Sequence, residues 1–365
     1  IRNGKVIDEV VQPLGLRKYE IVAGEGFYLN GEKYPMYGVT RHQDWWGLGS
    51  ALKNENHDFD LATIMDIGAT TVRFAHYQQS DYLYSRCDSL GLIIWAEIPF
   101  VNRVSGQEAE NARNQLRELI RQSFNHPSIY VWGLHNEVYH PHEYTKELTR
   151  SLHDLAKTED PDRYTVSVNG YGHMEHPVNL NADIQGMNRY FGWYEKKLQD
   201  IEPWVEGLEK NYPDQKLMLT EYGADANIVH QTEYLDNSLN WTKTHEYQWS
   251  VIAKHPYIVA SYLWNTFDFA TPLANRGDLP ARNMKGMVTF DRKTKKDSYF
   301  WYKANWSEDP VLYLTQRRNV DREKKVTSIT VYSNIGEPKV FLNGQELSGI
   351  HTVSYTHLTL PTNSR

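Results

Sequence analysis

Cysteine is almost missing from this chain of 365 residues, which contains only Cys87. A single thiol excludes an internal disulfide and a zinc site built from several cysteines. The sequence also has no apolar run near the roughly 20 residues that a membrane-spanning helix needs. With 40% hydrophobic residues, the composition is typical of a globular chain, and we expect no membrane partner.

The chain also has no excess of positively charged residues. Lys and Arg number 39 against 46 Asp and Glu, which gives a formal net charge of −7. Such a chain has no strong positive field to attract phosphate groups. We therefore expect no nucleic acid partner.

The first residues lack the features of a targeting segment. The chain opens at Ile1 without an initiator Met, a basic region or an apolar stretch, so the sequence leaves localisation open. Residues 1–20 are predicted to be the last strand and linker of an upstream β domain, because the alternation of apolar residues stops at Pro13 and Gly15. Residues 353–365 resemble the translated end of a sequencing-library adaptor and are interpreted as a non-native tail, with a genuine terminal strand as the alternative.

Aromatic residues, in contrast, are abundant, with 11 Trp, 25 Tyr and 11 Phe. This abundance indicates either a large aromatic core or a binding site built from aromatic platforms.

Short apolar runs recur eight times, separated by longer helical patterns. The runs cover residues 35–40, 71–74, 92–96, 129–134, 165–169, 184–187, 216–220 and 259–264. Gly68 and Gly91 stand directly before two of them, where the glycine that ends a helix belongs. Eight alternations of strand and helix over residues 21–306 predict an α/β fold, a (β/α)8 TIM barrel. An open doubly wound sheet is the alternative, but no glycine-rich phosphate loop follows any of the runs.

The remaining residues predict a second kind of structure. Residues 307–352 alternate with period two around Asn343-Gly344, which is typical of antiparallel strands. We interpret them as the start of a C-terminal β-sandwich, so partial β-sandwich domains would flank the barrel.

Polar residues cluster where the predicted strands end, which is where TIM barrels carry their chemistry. Glu137 follows the fourth strand and Glu221 the seventh. Barrel closure would bring these two carboxylates to one mouth. Two carboxylates on either side of one bond are what glycoside hydrolysis requires, one as acid and one as nucleophile or base.

Five segments carry a resemblance to a known family. They are YGVTRHQD (37–44), TTVRFAHY (70–77), WGLHNE (132–137), MLTEYG (218–223) and SYLWNTFDF (261–269). Together and in this order they resemble the catalytic domain of glycoside hydrolase family 2, which contains bacterial and other β-galactosidases and β-glucuronidases. The resemblance implies a retaining exo-β-glycosidase with a carbohydrate substrate, an immunoglobulin-like sandwich before the barrel, and a longer enzyme that could be a homo-oligomer. A periplasmic or a cytoplasmic location in a bacterium would both fit.

The same resemblance implies roles for ten residues. Glu137 would be the general acid/base and Glu221 the nucleophile. Asn136 would bind the sugar 2-hydroxyl, and Tyr190 would donate a hydrogen bond to the nucleophile. The other substrate-binding residues would be His42, Arg73, His76, Trp264, Asn283 and Lys285, with Trp264 as the platform for the apolar face of the sugar.

Two departures from the family pattern bear on cofactor and substrate. Magnesium-dependent members have Glu-x-His after the third strand, whereas this chain has Val101-Asn102-Arg103, so we predict no metal and no other cofactor. Asn283-x-Lys285 resembles the pair by which β-glucuronidases hold the sugar carboxylate, yet a similar pattern is common in galactosidases. We expect a β-galactosidase first, with a β-glucuronidase as the alternative.

Two more distant alternatives come from other classes of protein. A non-catalytic carbohydrate-binding protein would also be rich in tryptophan but would not need the paired glutamates. A metal-dependent hydrolase could use His140 and His142, although no third ligand stands at a strand end beside them.

Overall fold

The computed structural model describes residues 1–12, 14–138, 142–170, 174–176, 178–229, 241–272, 279–318 and 330–346. Eight parallel strands form a closed barrel in its centre. They are β4 (Tyr37–Arg41), β5 (Thr71–Phe74), β6 (Ile93–Glu97), β7 (Ile129–Asn136), β8 (Tyr164–Asn169), β9 (Ile184–Asn188), β10 (Leu217–Tyr222) and β11 (Ile258–Leu263). Each overlaps one of the eight predicted runs, so the predicted TIM barrel is confirmed.

The barrel closes where its last strand, β11, pairs with its first strand, β4. Ser261 pairs with Tyr37, Tyr262 with Gly38 and Leu263 with Val39, all in parallel register. Most strand residues are buried, because the strands pack against side chains inside the barrel and against helices outside it. Continuous apolar runs rather than alternating ones are the expected sequence pattern for such strands.

Large aromatic side chains fill the barrel interior. Trp95, Tyr130 and Tyr262 are fully buried there, and the hydroxyls of Tyr130 and Tyr262 lie 2.6 Å apart. The antiparallel strands β1 (Tyr19–Val22), β2 (Gly26–Leu29) and β3 (Glu32–Lys33) precede the barrel. They pack against its interior through Phe27, whose ring centroid lies 5.4 Å from that of Tyr130. Much of the aromatic content therefore forms core.

Helices surround the strands. They are α1 (Asn54–Asp66), α2 (Asp81–Leu90), α3 (Ala109–Ser123), α4 (Glu143–Glu159), α5 (Ile201–Asn211), α6 (Trp241–Ile252) and α7 (Asp297–Trp306), with short 3-10 helices at Asn179–Asn181 and Leu198–Asp200. Gly91 ends α2 with a φ of 71°, and Gly68 follows α1 with a φ of 86°. Both have the left-handed conformation that a helix-ending glycine adopts.

Helix α7 was not indicated by the apolar periodicity of the sequence. Its segment DSYFWYKANW carries aromatic residues on almost every side, and Tyr299, Trp301, Tyr302 and Trp306 are all buried. A helix that packs on several sides shows no alternation of apolar and polar faces, which explains why the pattern failed here.

The other strands form two-stranded antiparallel sheets. They are β12 (Phe269–Ala270) with β13 (Arg282–Asn283), β14 (Leu312–Leu314) with β15 (Val331–Ser333), and β16 (Phe341–Leu342) with β17 (Gln345–Glu346). In residues 1–12 and 14–18 the only pairing is a bridge between Arg2 and Lys5. The proposed non-native tail, 353–365, lies outside the described residues. Among the helices that are described, none combines the length and the apolar character needed to cross a membrane.

Candidate active site

Glu137 stands immediately after β7, at the carboxyl end of the barrel. Its φ of 50° lies in the left-handed region, which is uncommon for a residue other than glycine and concentrates at functional sites. Its backbone N–H donates to Val168 O at 2.9 Å, so the neighbouring strand β8 holds this conformation. The Glu137 Oε1 atom accepts a hydrogen bond from Asn188 Nδ2 at 3.0 Å.

Glu221 lies near the end of β10, three strands away around the barrel. Both of its carboxylate oxygens are engaged. The Tyr190 hydroxyl donates to Oε2 at 2.7 Å, and Arg73 Nη1 donates to Oε1 at 3.0 Å. The side chain is almost completely buried. A carboxylate held from two sides cannot rotate freely, and such a fixed orientation fits the nucleophile role predicted for Glu221.

Arg73 is the central cation of the site and is completely buried. Besides Glu221 it binds Glu97 through two hydrogen bonds, Nε to Oε2 at 2.9 Å and Nη2 to Oε1 at 3.1 Å. Its Nη2 also donates to Asn136 Oδ1 at 2.9 Å. Burial acts to lower the pKa of Arg73, but the carboxylates of Glu97 and Glu221 outweigh it and raise this pKa above its ordinary value. Arg73 is therefore always charged.

Glu97, at the end of β6, is the main participant that sequence reasoning did not select. It is buried, and besides Arg73 it accepts a hydrogen bond from His76 Nδ1 at 2.6 Å. The other ring nitrogen of His76 lies 3.9 Å from Glu221 Oε1. Burial acts to raise the pKa of Glu97, but Arg73 and His76 oppose it and hold this pKa below its ordinary value. Glu97 thus orients both Arg73 and His76, the two side chains that face Glu221.

Two asparagines connect the acid side of the site with the nucleophile side. Asn136 Oδ1 accepts hydrogen bonds from Arg73 at 2.9 Å and from Asn188 Nδ2 at 3.2 Å. The side-chain amide nitrogen of Asn136 makes no hydrogen bond within the described residues, so its N–H groups are available to a ligand. Asn188, at the end of β9, also donates a hydrogen bond to Glu137. The sequence showed Asn188 only as a polar residue at a strand end and did not predict this contact.

Aromatic rings form one wall of the site. The ring of Trp264 stacks on that of His76, with centroids 5.0 Å apart. His42 packs between Trp264 and Phe269 at 5.2 and 4.2 Å. Burial lowers the pKa of His42 well below its usual value, and its Nε2 has no hydrogen-bond partner in the described part of the chain. A neutral imidazole with a free ring nitrogen is suited to bind a hydroxyl group.

Lys285 occupies a different corner of the same region. Its ammonium group is buried, donates to Asp225 Oδ1 at 3.1 Å and also donates to the Tyr194 hydroxyl. It lies 5.7 Å from the ring centroid of Tyr190, the residue that binds Glu221. Asn283 holds the backbone of this segment, since its Oδ1 accepts from Lys285 N at 3.0 Å. Neither Asp225 nor Tyr194 was expected from the sequence, although Asp225 follows Glu221 by four residues.

Burial and nearby charges set the pKa of Glu221. Burial, with the charge of Glu137 as a further cause, raises the pKa of Glu221 above its ordinary value, whereas Arg73, His76 and Tyr190 oppose this rise. The charge of Glu137 acts on both Glu221 and Tyr190, so the two carboxylates lie near each other. Burial, followed by the charge of Glu221, raises the pKa of Tyr190 well above 10, so Tyr190 remains a hydrogen-bond donor.

The segment where some members of the resembled family bind magnesium has no ligand set here. Val101 forms a bridge with Asn136, and Asn102 N donates to Asn136 O at 3.0 Å. Over the described ranges, no group of three or more His, Cys, Asp or Glu side chains is placed to hold a metal ion. His140, one of the two histidines considered for a metal-dependent hydrolase, lies outside those ranges.

The family model described as "Glycosyl hydrolases family 2, TIM barrel domain" matches residues 21–308. This chain belongs to glycoside hydrolase family 2. Among curated family members, a β-glucuronidase of Bacteroides fragilis is 38% identical over 362 residues, which cover 94% of this chain and 52% of that protein.

Solved structures of family 2 proteins agree with the fold. A structure described as a putative β-galactosidase from Bacteroides fragilis is 81% identical, with a TM-score of 0.95, and the match covers 98% of this chain and 54% of that one. A β-glucuronidase structure from Bacteroides uniformis is 32% identical with a TM-score of 0.86, over 94% of this chain and 44% of that one. The chain therefore spans about half the length of the relatives it matches.

The barrel assembles most of the predicted site residues into one connected set. Glu137, Asn136, Arg73, His76, Glu221 and Tyr190 are joined by the hydrogen bonds described above, and His42 and Trp264 pack against them. Asn283 and Lys285 lie beside this set, connected through the Tyr190 ring. Their individual roles toward a sugar remain predictions.

Proposed function

We propose that this chain is the catalytic part of a retaining exo-β-glucuronidase, which removes terminal β-linked glucuronic acid. The observation that carries the choice of sugar is the buried ammonium of Lys285, 5.7 Å from the ring of Tyr190. Tyr190 in turn binds Glu221, so the cation stands beside the space where the nucleophile meets the sugar. An ammonium group favours a carboxylate over a hydroxymethyl group in a partly dry pocket. The 38% identical relative from Bacteroides fragilis is named a β-glucuronidase. It therefore supports a glucuronide substrate over the galactoside that we expected first.

The proposed reaction is a double displacement at the anomeric carbon. In the first step a Glu221 oxygen forms a bond to this carbon while the glycosidic bond breaks, and Glu137 donates its proton to the leaving oxygen. In the second step Glu137 takes a proton from water, the water oxygen attacks the same carbon, and the bond to Glu221 breaks. The carboxylate of Glu221 must therefore leave as well as attack.

The partners of Glu221 favour both steps. The Tyr190 hydroxyl and the Arg73 guanidinium each bind one carboxylate oxygen, so they stabilise the negative charge that returns when Glu221 leaves. Asn136, with its oxygen fixed by Arg73 and Asn188, directs its amide N–H groups to the ligand. A hydrogen bond from this amide to the 2-hydroxyl would strengthen as charge develops in the transition state.

The carboxylate of the sugar would join an existing ion pair. Lys285 is bound to Asp225, whose second oxygen has no partner in the described part of the chain. The Tyr194 hydroxyl covers the ammonium, and Tyr194 is 46% exposed. We infer that the substrate carboxylate replaces the Tyr194 hydroxyl on Lys285 while Asp225 holds the ammonium in place.

A β-galactosidase is the second candidate. The ion pair between Lys285 and Asp225 favours this candidate. Because Asp225 neutralises Lys285, the pair carries no net charge that would select a sugar carboxylate. The 81% identical structure is also described as a putative β-galactosidase. In this case Lys285 would be a structural residue.

Side-by-side hydrolysis of 4-nitrophenyl β-glucuronide and β-galactoside tests the proposal, in the chain extended to the full length of its relatives. Lys285→Met should lower kcat/KM for the glucuronide by about 100-fold or more, since a charge-assisted contact is lost, and should change the ratio of the two substrates. Arg163→Met is the matched control, because Arg163 forms a buried pair with Asp160 at 2.7 Å, contacts no part of the Lys285 segment and should leave that ratio unchanged. Galactoside turnover that is higher than glucuronide turnover and insensitive to Lys285→Met would establish the second candidate instead.

Glu221→Gln and Glu137→Gln test the reaction independently of the sugar. Each removes one of the two required carboxylates, so turnover of either substrate should fall by about three orders of magnitude or more. Wild-type turnover in either folded variant would refute the assigned roles.

A further inference from the structure

A second pocket lies next to the segment that carries Lys285. It has a volume of about 330 Å³, and its walls include Trp46, Ile228, Arg282, Met284 and Phe290. Arg282 and Met284 contribute to this pocket, whereas Lys285, the next residue, extends its side chain to Asp225 and Tyr194. The pocket and the Lys285 corner therefore share one stretch of backbone as a wall. None of the catalytic candidates lines the pocket.

The pocket contains an aromatic corner covered by a cation. The rings of Trp46 and Phe290 meet edge to face, with centroids 5.8 Å apart at 75°. The guanidinium carbon of Arg282 lies 4.9 Å from the Trp46 centroid and 5.7 Å from that of Phe290. Stacking uses the face of a guanidinium and leaves its N–H edge available for hydrogen bonds.

The charge of Arg282 acts on the nearby Asp268, where it opposes the rise that burial causes in the pKa of that carboxyl, but the two groups are not bonded to each other. In the described ranges its guanidinium makes no hydrogen bond and no ion pair. Asp268, the buried acid in the wall, is bound to Lys296 instead. A cationic edge in a pocket with aromatic walls fits an anionic group.

Some other polar groups of the wall already have hydrogen-bond partners within it. The Thr289 hydroxyl donates to Asp291 Oδ1 at 2.7 Å, and Asn227 Oδ1 accepts from Val229 N at 3.0 Å. A sugar would need free groups to bind its many hydroxyls, whereas an aromatic ring needs only apolar walls. The lining thus favours a flat apolar ring over a second sugar.

We propose that this pocket binds a planar aromatic carboxylate, with its ring on Trp46 and Phe290 and its carboxylate on the N–H edge of Arg282. The site is distinct from the Lys285 corner and does not depend on the proposed function. Bound there, the ligand would contact Met284 and so rest against the strand that positions Lys285.

Binding of benzoate, compared with uncharged benzamide, tests the proposal by calorimetry or ligand-observed NMR on the full-length chain without substrate. Benzoate should bind about tenfold more tightly than benzamide, because only benzoate gains the charge-assisted contact. Arg282→Gln should remove this preference, and Trp46→Ala should weaken both ligands. Arg317→Gln is the matched control, since Arg317 also stacks on an aromatic ring, that of Tyr313 at 4.7 Å, outside the pocket.

Two results would overturn the proposal. Equal binding of benzoate and benzamide would show that Arg282 does not bind the carboxylate. A benzoate preference that survives Arg282→Gln but disappears in Lys285→Met would place the ligand in the Lys285 corner. Turnover of either glycoside is not a readout here, so failure of the proposed function would leave this experiment interpretable.

Discussion

At the scale of single residues, the hydrogen bond from Tyr190 to Glu221 connects structure with pH dependence. The hydroxyl donates at 2.7 Å to Glu221, a carboxylate that would have to be ionised in its proposed role as nucleophile. This contact opposes the rise that burial causes in the pKa of Glu221. Tyr190 therefore extends the range of pH in which Glu221 is ionised, as its proposed role as nucleophile requires.

Tyr190→Phe should shift the acid side of the pH profile upward. Without the donor the pKa of Glu221 rises further, so activity is lost at a higher pH as the solution is acidified. The value of kcat should also fall about 10- to 100-fold, the size of a hydrogen bond to a charged group. A profile of kcat/KM against pH measures this shift, and an acid limb that stays in place or moves to lower pH would contradict the role of Tyr190.

Glu97 is a positioning residue in this arrangement, since it contacts Arg73 and His76 rather than the space between Glu137 and Glu221. Glu97→Gln keeps the size of the side chain but removes the charge that orients Arg73 and His76. We expect kcat per folded molecule to fall about 100-fold, because a small displacement of groups around a nucleophile has effects of this order.

Asp160→Asn provides the comparison for Glu97→Gln. Asp160 forms a buried pair with Arg163 at 2.7 Å and accepts from Trp132 Nε1 at 3.0 Å, and it touches none of the site residues. Both variants should lower the unfolding temperature, as the breaking of a buried pair does. Only Glu97→Gln should change kcat, and equal kcat losses in the two would reduce Glu97 to a structural residue.

At the scale of elements, helix α7 is held against α1 by one carboxylate. Asp66, at the end of α1, accepts from Tyr299 and from Lys303 Nζ, 2.6 Å away, on α7, and pairs with Lys295 at 2.9 Å. Burial acts to raise the pKa of Asp66, but these contacts together lower it to about 2. The last helix of the barrel is thereby fixed to the first.

Asp66→Asn should lower the unfolding temperature at neutral pH but not in strong acid. A depressed carboxyl pKa contributes stability above its ordinary value near 3.8, and this contribution is lost as the pH falls toward 2. Wild type and variant should therefore unfold several degrees apart at pH 7 and converge near pH 2, which thermal scans at a series of pH values measure. A difference that does not depend on pH would exclude the charge of Asp66 as its cause.

At the scale of the whole molecule, closure of the barrel depends on a glycine where the last strand meets the first. A Cβ atom on Gly38 would lie 2.3 Å from Ser261 O and 2.6 Å from the Tyr262 ring. Neither neighbour can move easily, because Ser261 belongs to the β11 backbone and Tyr262 is fully buried inside the barrel. The β4–β11 seam thus leaves no room for a side chain at this position.

Gly38→Ala should destabilise the chain by several kcal/mol or prevent folding, as forced overpacking of a core does. Gly207→Ala is the opposite case, since Gly207 lies within α5 and a Cβ there would meet nothing within 4 Å. That variant should be neutral or gain up to about 1 kcal/mol, because alanine restricts the unfolded chain and favours the helix. Thermal unfolding of both proteins is the measurement, and a Gly38→Ala barrel as stable as wild type would contradict the seam argument.

The sequence by itself determined the barrel and the two carboxylates. The eight strands are visible because buried parallel strands need continuous apolar runs, and this requirement is local. Glu97, Glu137 and Glu221 all follow such runs, and the family resemblance of the segments around Glu137 and Glu221 singled out these two. The β12–β13 sheet, helix α7 and the pocket beside Arg282 have no comparable local pattern.

Only the tertiary structure decided which charged side chains form ion pairs with each other. Arg73 binds Glu221 across 148 positions of sequence, and Lys285 binds Asp225 across 60. Pairings of this kind depend on which strand ends barrel closure brings together, and no periodicity records them. The same limit applies to Glu97, which the sequence shows as one acid at a strand end and the structure shows between Arg73 and His76. Because these charges are buried, their pairing affects stability. A charge removed from water must be compensated by the neighbours that the fold supplies.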